Sequence, residues 1–178
     1  MNARHAHGYT LVEILTVVAV LGCIAAVLVP ALSTVRSSRL DVAAEEAANA
    51  VRYAVQEAQH TGGYVLVDAQ TVPGHLRVFN ANASGLALGP VADPLTRRAL
   101  DVDVEGSTFS AGVAMAPQFL QGGVAYAQLL IAPAAQMQAY DGVMPRGGLQ
   151  AGSGIVLRLD SASVVVAIDG LTGRISLP

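Results

Sequence analysis

Residues 14–32, ILTVVAVLGCIAAVLVPAL, carry no charge and almost no polar side chain. A helix built from them, rising 1.5 Å per residue, is long enough to cross the ~30 Å hydrocarbon core of a bilayer. A membrane span is therefore the first expectation, and it constrains everything after it. Glu13 stands at the start of this run. An ionised side chain costs roughly 2.5–3.5 kcal/mol near the centre of a span and less toward an interface. An acid snorkelling to the headgroups accounts for Glu13 alone, but not for the residues that precede it.

Those residues, Gly8-Tyr9-Thr10-Leu11-Val12-Glu13, resemble the type IV prepilin cleavage motif. Pro30 falls where such proteins place a helix-kinking proline, and it lacks the backbone donor an unbent helix needs. The resemblance implies that a prepilin peptidase cuts after Gly8 and methylates the new amine of Tyr9. The family's usual residue after the cut is phenylalanine, so Tyr9 is an aromatic departure. Cleavage would place a positive amine one helical turn from Glu13, on the same face. In a membrane the two charges favour each other because neither has water. The resemblance further implies that Glu13 pairs with the amine of a neighbouring subunit, which would fix the register of otherwise slippery apolar helices. Gly8 and Tyr9 are thus the expected processing residues, Glu13 the assembly residue and Pro30 the kink.

The 178-residue length suits one domain plus an appendage. Roughly 140 residues remain beyond leader and membrane helix, enough to bury a core without covalent staples. The net charge of −3 argues against broad attachment to nucleic acid. All ten basic residues are arginines. Cys23, the single cysteine, lies inside the apolar run and cannot form an intrachain disulfide. Val20-Leu21-Gly22-Cys23 loosely resembles a lipidation box, yet the chain stays apolar well past Cys23. Small residues at Ala25 and Ala26 also leave signal peptidase formally open. Arg4 on one side of the span and Arg36 and Arg39 on the other do not decide its orientation. The pilin resemblance implies a cytoplasmic N-terminus.

From residue 33 to 60 the apolar positions Leu40, Ala43, Ala44, Ala47, Val51, Ala54, Val55 and Ala58 recur at helical spacing. Glu45, Glu46, Asn49, Arg52, Gln56 and Glu57 fill the other side. Gly62-Gly63 is the stop signal. Beyond it the pattern turns to strands, expected at 64–68, 76–79, 86–88, 100–104, 124–131, 155–159, 164–168 and 174–177. Asp160-Ser161 and Asp169-Gly170 read as turns joining the last three into an antiparallel meander. Residues 90–98 and 132–154, rich in Pro, Gly and Ala, read as loops. No internal repeat is evident. The expected fold class is α+β: a long N-terminal helix, membrane-spanning in its first half and amphipathic in its second, packed on a C-terminal antiparallel β domain. The expected boundaries are a leader at 1–8, the membrane half of the helix at 9–35, its amphipathic half at 36–63 and a periplasmic β-rich domain at 64–178.

This layout is similar to the H-type minor pseudopilins of type II secretion and to FimT-like minor pilins. The runs at 51–58, VRYAVQEA, and 168–175, IDGLTGRI, resemble that family's helix end and closing hairpin. The resemblance implies a non-enzymatic filament subunit in the inner membrane. Its partners would be major and minor pseudopilins, the prepilin peptidase and an inner-membrane assembly platform, and it would use no cofactor. The alternative within the family is a pilus subunit that touches DNA during uptake, for which Arg97-Arg98 and Arg174 are the available cations.

Other chemistry finds little footing. Asp101, Asp103 and Glu105 alternate along a strand and would share a face. A calcium site needs several oxygen ligands, often from more than one loop, so a solvated face is the simpler reading. His60 and His75 have no close metal-ligand spacing, and neither an HExxH nor a CxxC pattern is present. No P-loop and no Gly-x-Ser-x-Gly elbow occurs. Gly152-Ser153-Gly154 reads as a turn before a strand.

Overall fold

The alanine stripe is where the core closes. The structure, a computed structural model, describes residues 10–177, without the side chains of 27–34. Helix α1 (Leu11–Thr61) is unbroken in secondary structure. Along it Leu40, Ala43, Ala44, Ala47, Val51, Ala54 and Ala58 are each at most 2% exposed. Short side chains at these positions let strands approach the helix backbone closely. Val55, expected in the stripe, is only half-buried at its margin. The helix stops at Gly62, whose φ of 64° favours a residue without a side chain. Thr61 Oγ1 donates to the Glu57 carbonyl at 2.7 Å in the last turn.

The chain divides into two compact units between Ser37 and Ser38. In the second, two antiparallel sheets and the amphipathic part of α1 share one hydrophobic core. The first sheet contains β1 (Tyr64–Asp68), β2 (His75–Ala81), β3 (Ala87–Pro90), β4 (Asp101–Asp103), β7 (Gln128–Ile131), β8 (Met137–Tyr140) and β9 (Pro145–Gly148). Its order is β3-β2-β1-β7-β8-β9, with β4 also on β2. The second sheet contains β5 (Ala114–Gln121), β6 (Val124–Tyr126), β10 (Gly154–Leu159), β11 (Ala162–Ile168) and β12 (Ile175–Ser176), in the order β12-β11-β10-β5-β6. The expected meander is there: β10, β11 and β12 pair in sequence, antiparallel.

Three expectations are corrected. The single strand expected at 124–131 is two strands in different sheets. Tyr126 pairs with Phe119 of β5 while Gln128 pairs with Asp68 of β1. The crossing falls at Ala127, whose carbonyl accepts from Ala69 N at 3.1 Å. The stretch 132–154, expected as loop, holds β8 and β9. Pro145-Arg146-Gly147-Gly148 has poor strand propensity, and pairing with β8 holds it in place. Strand β5 lies outside every expected strand, because Pro117 sits in its middle. It pairs with β10 over residues 114–118, while β6 covers only 119–121, so its other edge is open around the proline. A residue without an N–H is tolerated at such an edge.

Turn aspartates recur through this unit. Asp93 Oδ1 accepts from Leu95 N and Thr96 N at 2.7 and 3.1 Å, and Asp169 Oδ1 from Leu171 N and Thr172 N at 2.9 and 3.3 Å. Asp141 Oδ1 accepts from Val143 N and Met144 N at 2.8 and 2.7 Å, and Arg146 Nε donates to its other oxygen at 2.7 Å. Backbone donors favour the ionised form. The Met144 and Val143 N–H groups, helped by Arg146, hold Asp141 down to about 2, and backbone donors lower Asp93 and Asp169 as well. A carboxyl that titrates lower in the folded chain than in the unfolded one stabilises the fold above its unfolded value of about 3.9. That contribution is lost as pH falls through the folded value. Stability should therefore decline between about pH 4 and pH 2, and Asp141→Asn should flatten the decline. Urea midpoints measured across that window check it; an unchanged slope in the variant would contradict the assignment.

Candidate assembly site

The first unit presents the residues singled out for assembly. Thr10 opens α1: its Oγ1 accepts from Glu13 N at 3.2 Å, and its carbonyl accepts from Glu13 N and Ile14 N at 3.1 and 3.3 Å. Thr10-x-x-Glu13 is the spacing of a capping box, and a carboxylate in the first turn complements the positive end of the helix dipole. This local role of Thr10 escaped the sequence reading, although the Thr/Glu spacing carried the signal. Glu13 itself is exposed. Gly8 and Tyr9 lie outside the described residues. Pro30 lies within α1, but among the residues whose side chains are not described.

Between Leu11 and Ile24 the helix has no polar face. Leu11, Val12, Ile14, Leu15, Val17, Val18, Val20, Leu21 and Ile24 are between 49% and 78% exposed. Successive residues turn by about 100°, so these nine point in every direction around the axis. A helix apolar all round is covered in its working state, by lipid or by other protein. Cys23 is exposed on it. Among the described residues no helix is long and apolar enough to cross a membrane; the apolar run of the sequence continues into 27–32, beyond the side chains described.

The remaining candidates are distributed over the second unit. Asp101 and Asp103 face His75 across the β2–β4 pair, with His75 Nδ1 2.8 Å from Asp101 Oδ1 and Nε2 3.8 Å from Asp103 Oδ1. Glu105 lies past the end of β4, where its Oε1 accepts from Met115 N at 3.1 Å. The three acids therefore do not converge, and no group of three or more ligating side chains among the described residues could hold a metal ion. His60 is exposed in the last turn of α1. Ser153 is a buried latch: its Oγ donates to the Gln150 carbonyl at 2.7 Å and accepts from Leu120 N at 3.0 Å.

The arginines weighed for DNA sit in two turns built alike, a short repeat invisible as a sequence period. In Asp93-Pro94-Leu95-Thr96-Arg97-Arg98 and Asp169-Gly170-Leu171-Thr172-Gly173-Arg174 the aspartate caps the same two N–H groups. The aspartate N donates to the last arginine's carbonyl at 2.7 and 2.9 Å. The fifth residue has positive φ, 59° at Arg97 and 70° at Gly173. Each turn sets an exposed arginine beside an aspartate, so neither is a strongly basic patch.

Sequence reading also missed a row of side chains on the face of the first sheet turned away from α1. The registers align Tyr140, Gln128, Asp68, Arg77 and Asp101 across β8, β7, β1, β2 and β4. Asp68 and Gln128 are buried. The apolar runs at 65–67 and 129–131 signal strands buried on both faces, which would have pointed here.

Among known proteins the likeness falls on both units. Residues 3–29 match the prokaryotic N-terminal methylation motif. No curated protein matches the chain. The type IV minor pilin FimU of Pseudomonas aeruginosa, in one crystal form, aligns over 78% of this chain and 87% of its own, at 18% identity and a TM-score of 0.48. In a second crystal form it covers 78% and 92%, at 17% identity and a TM-score of 0.47. The chain thus carries a pilin-type N-terminal segment on an α+β body.

Proposed function

We propose that this chain is a structural subunit of a pilin-like filament, specifically a minor pseudopilin of the periplasmic pseudopilus of a type II secretion system. One observation carries the reading: a methylation motif at 3–29 leads into a capped helix that is apolar and exposed all round from Leu11 to Ile24. On this reading, prepilin peptidase removes residues 1–8 and methylates Tyr9. The helix, bending at Pro30, holds the subunit in the inner membrane by a single pass, with its N-terminus cytoplasmic and residues 64–178 in the periplasm. An inner-membrane assembly platform then draws it into the filament among major and minor pseudopilins. The chain supplies contacts and no catalysis. Glu13 serves as the register charge, meeting the Tyr9 amine of its own or a neighbouring chain.

A second reading, a FimT-like minor pilin contacting DNA, draws on the exposed Arg97, Arg98 and Arg174. Each of their turns carries its own aspartate, which supports the secretion reading instead. Deleting the gene and scoring protein secretion, surface motility and DNA uptake together separates the two. Loss of secretion alone is the expected result; loss of motility or uptake with secretion intact would overturn it.

A further inference from the structure

On the face of the first sheet away from α1 lies a pocket of about 290 Å³, lined by Leu66, Asp68, Arg77, Phe79, Gln128 and Tyr140 among others. Leu66 and Tyr140 belong to a small second hydrophobic cluster, with Phe79 packed against it. These side chains supply an apolar wall. The polar end is tightly organised. Asp68 Oδ1 accepts from Gln70 N at 3.0 Å, Thr71 N at 3.2 Å and Gln128 Nε2 at 2.9 Å, and Arg77 Nη2 lies 3.6 Å from Oδ2. Burial pushes the Asp68 carboxyl up, but the donors of Thr71, Gln128 and Gln70 together outweigh it and leave the group below its ordinary value. It is therefore a carboxylate. The Arg77 guanidinium also rests on the Phe79 ring, 4.9 Å from its centroid.

Two buried atoms in this arrangement have no hydrogen-bond partner among the described residues: Arg77 Nε, a donor, and Gln128 Oε1, an acceptor. The bond from Nε2 to Asp68 fixes which end of the Gln128 amide is the carbonyl. Gln128 is 8% exposed, and buried polar atoms are rarely left unpaired without cause. The missing group must accept from Arg77 and donate to Gln128 together.

We propose that the pocket binds the carboxamide of an asparagine or glutamine side chain presented by a partner protein. A carboxamide carries a carbonyl and an NH₂ on one plane, which meets both demands. A carboxylate would satisfy Arg77 but face Asp68 and the Gln128 carbonyl oxygen. An ammonium would satisfy Gln128 but offer nothing to Arg77 Nε, and it would face the guanidinium. The volume, at the lower edge of the range for ligand pockets, suits one side chain and not a cofactor. Leu86 and Ala87 are exposed at its rim, so it opens to solvent.

The test titrates the full chain in detergent micelles with butyramide, and with butyrate and butylammonium as charged counterparts of similar shape. Chemical shifts of the Gln128 side-chain amide, Leu66 and Tyr140 are the readout. Saturable shifts with butyramide, at least tenfold weaker with both ions, are expected. Gln128→Met should weaken butyramide binding at least tenfold. Ala87→Phe should do the same by plugging the rim while leaving Asp68, Arg77 and Gln128 in place. The proposal is overturned by unsaturable shifts, by equal binding of either ion, or by unchanged binding to Ala87→Phe. A long-lived water at Gln128 Oε1 that butyramide fails to displace would also overturn it.

Discussion

Glu13→Ala is expected to leave cleavage after Gly8 intact and to abolish co-purification of this chain with the other filament subunits. Removing one partner of a buried ion pair costs about 3–5 kcal/mol because the other charge is left without water. Over an assembly equilibrium that is a loss of about a hundredfold or more. Two further variants separate the charge from the local geometry of the helix start. Glu13→Gln keeps the length and the backbone bond to Thr10 and should fail to assemble as well. Thr10→Ala removes the Oγ1 acceptor seen at 3.2 Å from Glu13 N, at a cost of about 1 kcal/mol typical of a lost cap, and should assemble. Normal co-purification of Glu13→Ala would refute the register role.

The largest stability effect belongs to Phe119→Ala. Phe119 is 0% exposed on β5 and belongs to the shared core between α1 and the sheets. Truncating a fully buried aromatic removes its transfer free energy and leaves a cavity, together about 3–5 kcal/mol. A domain of ordinary stability has only about 5–15 kcal/mol in hand. Urea unfolding followed by circular dichroism should therefore show a large fall in midpoint. A loss below about 1 kcal/mol would mean that β5 is peripheral to the core.

That β5 holds such a residue shows where sequence reading succeeds and where it does not. The helix is legible because its signals are local: alanine at helical spacing, Thr10 and Glu13 at the start, glycines at the end. The β10–β11–β12 meander is legible for the same reason, since Asp160 and Asp169 mark its turns. Strands β5, β8 and β9 are hidden because pairing, not composition, makes them strands. Pro117 and the Pro145–Gly148 segment contradict strand propensity, and partners far along the chain override it. The split of 124–131 between two sheets needs the position of Ala69, which no periodicity carries. Among the candidate residues, Glu13 is legible from the string around it. The pairing of Asp68 with Gln128 and Arg77 is not, because it depends on registers between three strands.

These residues serve different ends. The first unit displays an apolar helix whose value lies in what comes to cover it. The second is a folded body whose outer face keeps an organised polar row. Processing links them in the proposed function, since the positive partner of Glu13 exists only once residues 1–8 are gone.

The most direct measurement is the intact mass of the protein recovered from the membranes of cells that express it with its own secretion genes. The expected species is a chain that begins at Tyr9 and carries one methyl group on its amine. A chain that still begins at Met1, or one cut near Ala25 and Ala26 with the apolar helix removed, would contradict the processing proposed for this protein.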